Sequence, residues 1–74
     1  MNFNFAGKSV KGKYIGKIPV SGKVIHTIEQ NRWYICHCVE LDQPVDVNGE
    51  MRNILYVTQE ELTQVEGIDL FSVA

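Results

Sequence analysis

Long apolar runs are missing from these 74 residues, since each is only a few residues long, far short of the ~18 that span a bilayer. The opening stretch Met1-Asn-Phe-Asn-Phe-Ala-Gly-Lys-Ser-Val10 lacks the apolar centre of a signal peptide, so a cytoplasmic location is the expectation. Cysteine is scarce. Cys36 and Cys38 lie one residue apart, and on a strand such neighbours point the same way at a spacing poorly suited to a disulfide, which favours reduced thiols. Repeats, linkers and sustained 3.6-residue periodicity are absent as well, which excludes a helical bundle or a repeat array. What remains is one small domain over residues 1–74 with an apolar C-terminal extension, 67–74. A chain of this size buries only about 60% of the surface that its unfolded form exposes, which leaves little room for a buried multi-residue active site.

Charge is present but unevenly spread. Residues 1–32 carry six lysine or arginine side chains against Glu29, a net +5, whereas residues 33–74 carry Arg52 against eight carboxylates, a net −7. The split suggests a molecule with a basic and an acidic side, unless strands from the two halves interleave and the charges pair.

Glycine and Asn-Gly punctuation separates short β-branched and aromatic runs, as in an all-β chain. From Ile18 to Glu29 the pattern alternates, with Ile18, Val20, Gly22, Val24, His26 and Ile28 expected on the core face. Trp33 to Leu41 alternates likewise, with Trp33, Ile35, His37, Val39 and Leu41 inward. A two-residue loop at Gln30-Asn31 would pair Glu29 with Arg32 and Ile28 with Trp33. Lys23 would then neighbour Tyr34 on the outer face. Pro44 is expected to break the run. Asn48-Gly49 is the strongest hairpin signal, and it is followed by a strand over Arg52 to Val57 with Leu55 and Val57 inward. Thr58-Gln-Glu-Glu61 has capping-box spacing, which predicts a helical or 3-10 turn that plants Leu62 on the core before a closing strand at Val65. Five or six short strands and one such turn predict a small closed barrel.

Three stretches carry a likeness: Gly12-Lys-Tyr-Ile-Gly-Lys-Ile-Pro-Val-Ser-Gly-Lys-Val24, Val39-Glu-Leu-Asp-Gln-Pro-Val-Asp-Val-Asn-Gly49 and Ile54-Leu-Tyr-Val-Thr-Gln-Glu-Glu-Leu62. Together they resemble small stand-alone SH3-like β-barrels of bacteria, phages and mobile elements, over roughly residues 7–66. The resemblance implies an SH3-like barrel with a helical or 3-10 turn before the last core strand, and a binding or adaptor role such as that of a phage or mobile-element accessory protein. It names no ligand.

Cys36-His37-Cys38 invites a zinc reading, but alternation turns His37 away from the two sulfurs, and His26 is expected on His37's side. The residues therefore read as packing groups with no metal and no cofactor. His26 and His37 would form a diagonal inward pair, either a pH switch or two separately hydrogen-bonded side chains. Neither has a nucleophile beside it, Gly12-x-x-x-Gly16 lacks the rest of a phosphate loop, and the carboxylates have no calcium-loop spacing, so an enzyme is not expected.

The residues left for binding are Lys11, Lys13, Tyr14, Lys17, Lys23 and Tyr34, a basic and aromatic group suited to an acidic protein or a phosphate-bearing ligand. Ile68, Leu70, Phe71 and Val73 cannot all be hidden on one face of a strand, which marks the tail as a possible oligomer interface. The leading expectation is a non-catalytic protein-interaction module. A nucleotide or nucleic-acid binder using the lysine surface and a structural homo-oligomer are the alternatives.

Overall fold

The computed structural model describes residues 4–31 and 34–70. Its elements are β1 (Ser9–Tyr14), β2 (Ile18–Asn31), β3 (Tyr34–Val47), β4 (Glu50–Thr58), a 3-10 turn (Gln59–Glu61), β5 (Leu62–Val65) and β6 (Ile68–Asp69). All strands join one antiparallel sheet in the order β4-β3-β2-β1-β5-β6. The chain is thus all-β with its 3-10 turn before β5. The pairing does not close into the expected barrel, because the hydrogen-bonded order ends at β4 on one side and β6 on the other.

The sheet nevertheless coils around one core. Val39, Val57 and Leu62 are fully buried, although the described residues hold only one sheet and a single 3-10 turn. A flat sheet of one layer leaves both faces wet, so this burial requires the strands to curl over one another. Val10, Val20, Val24, Leu41, Leu55 and Val65 complete the cluster, with Phe5, Tyr14, Ile18, Val45 and Val47 packed at its margin. Burying each such valine or leucine side chain contributes about 1.5–3 kcal/mol. Gly12 and Gly22 lie on this inner face and let backbones approach: a Cβ on Gly22 would overlap the Glu40 carbonyl of β3, and one on Gly12 would overlap the Glu61 carbonyl.

The turns follow their residue chemistry. Asn48 (φ 54°) and Gly49 (φ 84°) both take positive φ between Val47 and Glu50, as a two-residue hairpin requires. Ile15 (φ 49°) and Gly16 (φ 72°) do the same at the β1–β2 turn, closed by the Lys17 N–H donating to the Tyr14 carbonyl at 3.1 Å. Ile15 is β-branched and 54% exposed, so it adopts an unfavourable backbone without burial to offset it. Its N–H donates to Glu61 Oε2 at 2.6 Å, and Glu61 Oε1 accepts from the Thr58 N–H at 2.8 Å, so one carboxylate ties the hairpin to the 3-10 turn. Replacing Ile15 with asparagine keeps the backbone donor and removes the strain. Ile15→Asn is expected to stabilise the fold by about 1 kcal/mol, read as a higher urea midpoint. An unchanged or lower midpoint would mean that the isoleucine side chain contributes as much as its backbone costs.

The β2–β3 hairpin departs from the expected register. Val24 pairs with Val39, but His26 pairs with Cys38, so Ile25 is an extra residue, and the turn lies beyond the pair Asn31–Tyr34 rather than at Gln30-Asn31. Such a bulge reverses which side chains face inward. His26 and Ile28 are therefore exposed, not in the core, and Thr27 is half-buried in their place. Trp33, expected inward, and Arg32 lie outside the described residues. Pro44 does not end its strand either. It lies within β3 in the shift between Glu40 and Val45, where a ladder bond is already interrupted.

Candidate functional site

The lysines occupy one end of the outer face. Lys11 stands opposite Ser21 and Lys13 opposite Pro19, with Lys17 in the turn and Lys23 on β2. An open groove is lined by Lys11, Gly12, Lys13, Pro19, Val20, Ser21 and Thr63. Tyr14 does not join this surface, because alternation along β1 turns it to the core with Val10 and Gly12. Lys23 faces Glu40 across β3, and the Ser21 hydroxyl donates to Asp42 Oδ2 at 3.1 Å, so carboxylates border the basic patch. Tyr34 pairs with Asn31 at the far end of the same hairpin and does not neighbour Lys23. The groove brings Lys11 and Lys13 together, Lys23 lies apart from it beside Ser9, and no aromatic side chain among the described residues lines that groove.

Aromatic surface gathers instead at the other end of the convex face. The register sets His26 beside Cys38 and Tyr56, and Ile28 beside Cys36 and Thr58. Ile28, Tyr34, Ile54 and Tyr56 are exposed around the two buried thiols, and the His26 and Tyr56 rings meet edge to face at 6.2 Å. Burial pushes the Cys36 thiol above its ordinary range, with the charges of Glu61 and Cys38 adding to it, which keeps it protonated and unreactive at neutral pH. Cys38 raises the Tyr56 phenol, first by charge and then by a hydrogen bond. Both cysteines are free thiols. His26 shares their face, contrary to the expected arrangement. No three His, Cys, Asp or Glu side chains among the described residues are grouped to hold a metal.

On the inner face His37 is fully buried. Its Nε2 lies 2.8 Å from Gln59 Oε1 and its Nδ1 lies 2.8 Å from Thr27 Oγ1. The amide oxygen can only accept, so Nε2 carries the proton and the threonine hydroxyl donates to Nδ1. Thr27 Oγ1 in turn accepts the Phe5 N–H at 3.2 Å, and the Phe5 ring stacks on the imidazole at 4.9 Å and 12°. This histidine is a neutral structural group that fastens the N-terminal segment. The expected diagonal pair with His26 does not form, because the bulge carries His26 outward.

The tail is partly described. Ile68–Asp69 forms β6 on β5, and Ile68 and Leu70 border a shallow groove with Asn4, Phe5, Lys8, Val65 and Glu66. Phe71 and Val73 lie outside the described residues. Sequence reasoning overlooked Ile28, Ile54 and Tyr56. The signal available was the uncharged run from Asn53 to Thr58, whose alternate residues had to face outward once Leu55 and Val57 were assigned to the core. No family model matches the chain, and no curated protein or solved structure is significantly similar to it.

Proposed function

We propose that this protein is a non-catalytic interaction module that binds a protein partner through the convex face of β2, β3 and β4. The observation that carries the reading is the group Ile28, Tyr34, Ile54 and Tyr56, all exposed over the same three strands. Among the described residues, β2, β3 and β4 place no lysine, arginine or carboxylate on this face between Tyr34 and the Lys23–Glu40 pair, and the Glu61 carboxylate, bonded to Thr58, borders it. Contiguous apolar surface with aromatic anchors and a charged rim is the composition of a protein-binding patch. Lys23 and Glu40 at its border would orient the encounter more than strengthen it. The SH3-like reading belongs to the same proposal: it is supported by consecutive strands whose last core strand, β5, returns to β1 after a 3-10 turn.

Benzoylphenylalanine in place of Tyr34 tests the patch, with the same group at Lys11 as the comparison. Irradiation in the native host should give a discrete protein adduct at position 34 that survives nuclease treatment. Adducts formed only at position 11, or nuclease-sensitive ones, would move the site to the lysine surface and favour a nucleic-acid ligand.

A further inference from the structure

The sheet has two open edges, and they are built differently. β6 is two residues long, a length at which an edge offers little to pair with, whereas β4 runs for nine residues and no described strand lies on its outer side. Natural edge strands are usually guarded by proline, lysine, bulges or inward charge. β4 has no proline and no lysine, and its only charges, Glu50 and Arg52, lie in its first three residues and pair with each other at 3.1 Å. Its remaining stretch, Asn53-Ile-Leu-Tyr-Val-Thr58, is uncharged and rich in strand-forming residues. An edge of this kind needs an occupant.

We propose that the occupant is β4 of a second copy, giving a two-fold dimer with a continuous sheet across the interface. The strand is self-complementary in the antiparallel register centred on Ile54. In that register Ile54 meets its own copy, Arg52 lies opposite Tyr56 and Glu50 opposite Thr58, so no like charges face each other. The nine residues would exchange roughly eight to ten main-chain hydrogen bonds at full overlap, and Arg52 would gain the face of the Tyr56 ring. The strand has no net charge, so the copies do not repel. The pairing shares Ile54 and Tyr56 with the proposed partner patch but not Ile28 and Tyr34, which lie across the sheet from the free edge of β4, so a probe at Tyr34 reads the patch without reading the dimer.

Sedimentation equilibrium of the full chain should give twice the monomer mass of 8.4 kDa. Ile54→Lys should return it to the monomer with an unchanged far-UV circular dichroism spectrum. The register is tested separately by cysteine placement: directly opposed residues of an antiparallel pair lie about 4.5–5.5 Å apart at Cα, within disulfide range. Ile54→Cys should therefore form a covalent dimer under mild oxidation, while Arg52→Cys, which faces Tyr56, should not. A monomer at every concentration, a dimer untouched by a folded Ile54→Lys chain, or equal cross-linking at positions 52 and 54 would overturn the proposal. If Ile54→Lys fails to fold, the cysteine pair decides alone. Photo-adducts at position 34 are read independently, so either reading can fail without the other.

Discussion

Gly22→Ala is expected to cost about 4 kcal/mol or more, a large share of a total stability of the order of 5–15 kcal/mol. The added methyl has nowhere to go: it would overlap the Glu40 carbonyl and press on Leu41 Cα, both backbone of the adjacent strand. Gly22 and Leu41 are direct partners on the inner face, so the strands can separate only by losing the core contacts of Val20, Val24 and Val39. Gly49→Ala supplies the contrast. Gly49 has open space around its Cα but a φ of 84°, so alanine there meets only backbone strain, of about 1–2 kcal/mol. Urea denaturation of both variants should separate the two roles. A Gly22→Ala chain within about 1 kcal/mol of the parent would mean that β2 and β3 do not approach so closely.

Acid should weaken the fold through His37. Burial pulls its pKa below the ordinary histidine value, and this outweighs the opposing pull of the Gln59 hydrogen bond and the charge of Glu29. The unfolded chain therefore binds the proton more readily than the folded one. Stability is full above the unfolded value of about 6.5 and is lost as pH falls from there through the lower folded value. Protonation would also deny the Thr27 hydroxyl its acceptor at Nδ1, which loosens residues 4–8. Nitrogen NMR should show the Nε2–H tautomer at neutral pH and titration below 6.5. Thr27→Val should cost about 1–3 kcal/mol by leaving Nδ1 and the Phe5 N–H unpaired. An imidazole that titrates above 6.5 would contradict the buried arrangement.

Local turn chemistry was legible in the sequence, and strand register was not. Asn48-Gly49 has one low-energy solution as a hairpin, and Thr58 with Glu61 specifies the 3-10 turn that buries Leu62, so both could be read from residues close in the chain. The bulge at Ile25 could not. Ile18 to Glu29 alternates without interruption, and an inserted residue converts the second half of that alternation to the opposite face while leaving the pattern intact. Alternation therefore predicts His26 and Ile28 inward, and it hides the convex apolar patch with them. Pro44 misled in the same way, since a proline at a register shift resembles one that ends a strand. Tyr14 was different: the period-2 pattern of Val10, Gly12 and Tyr14 already separated it from Lys11 and Lys13.

The convex patch and the burial of His37 depend on how β2 meets β3, and that pairing is directly measurable. Cross-strand nuclear Overhauser effects in the labelled full chain should connect Val24 with Val39, His26 with Cys38 and Ile28 with Cys36. That result would set His26 and Ile28 outward among the thiols and leave His37 in the core. Contacts of Val24 with His37 and of Ile28 with Trp33, the pattern of an unbulged hairpin with its turn at Gln30-Asn31, would contradict it and remove the convex face from Ile28 to Tyr56 as a binding surface.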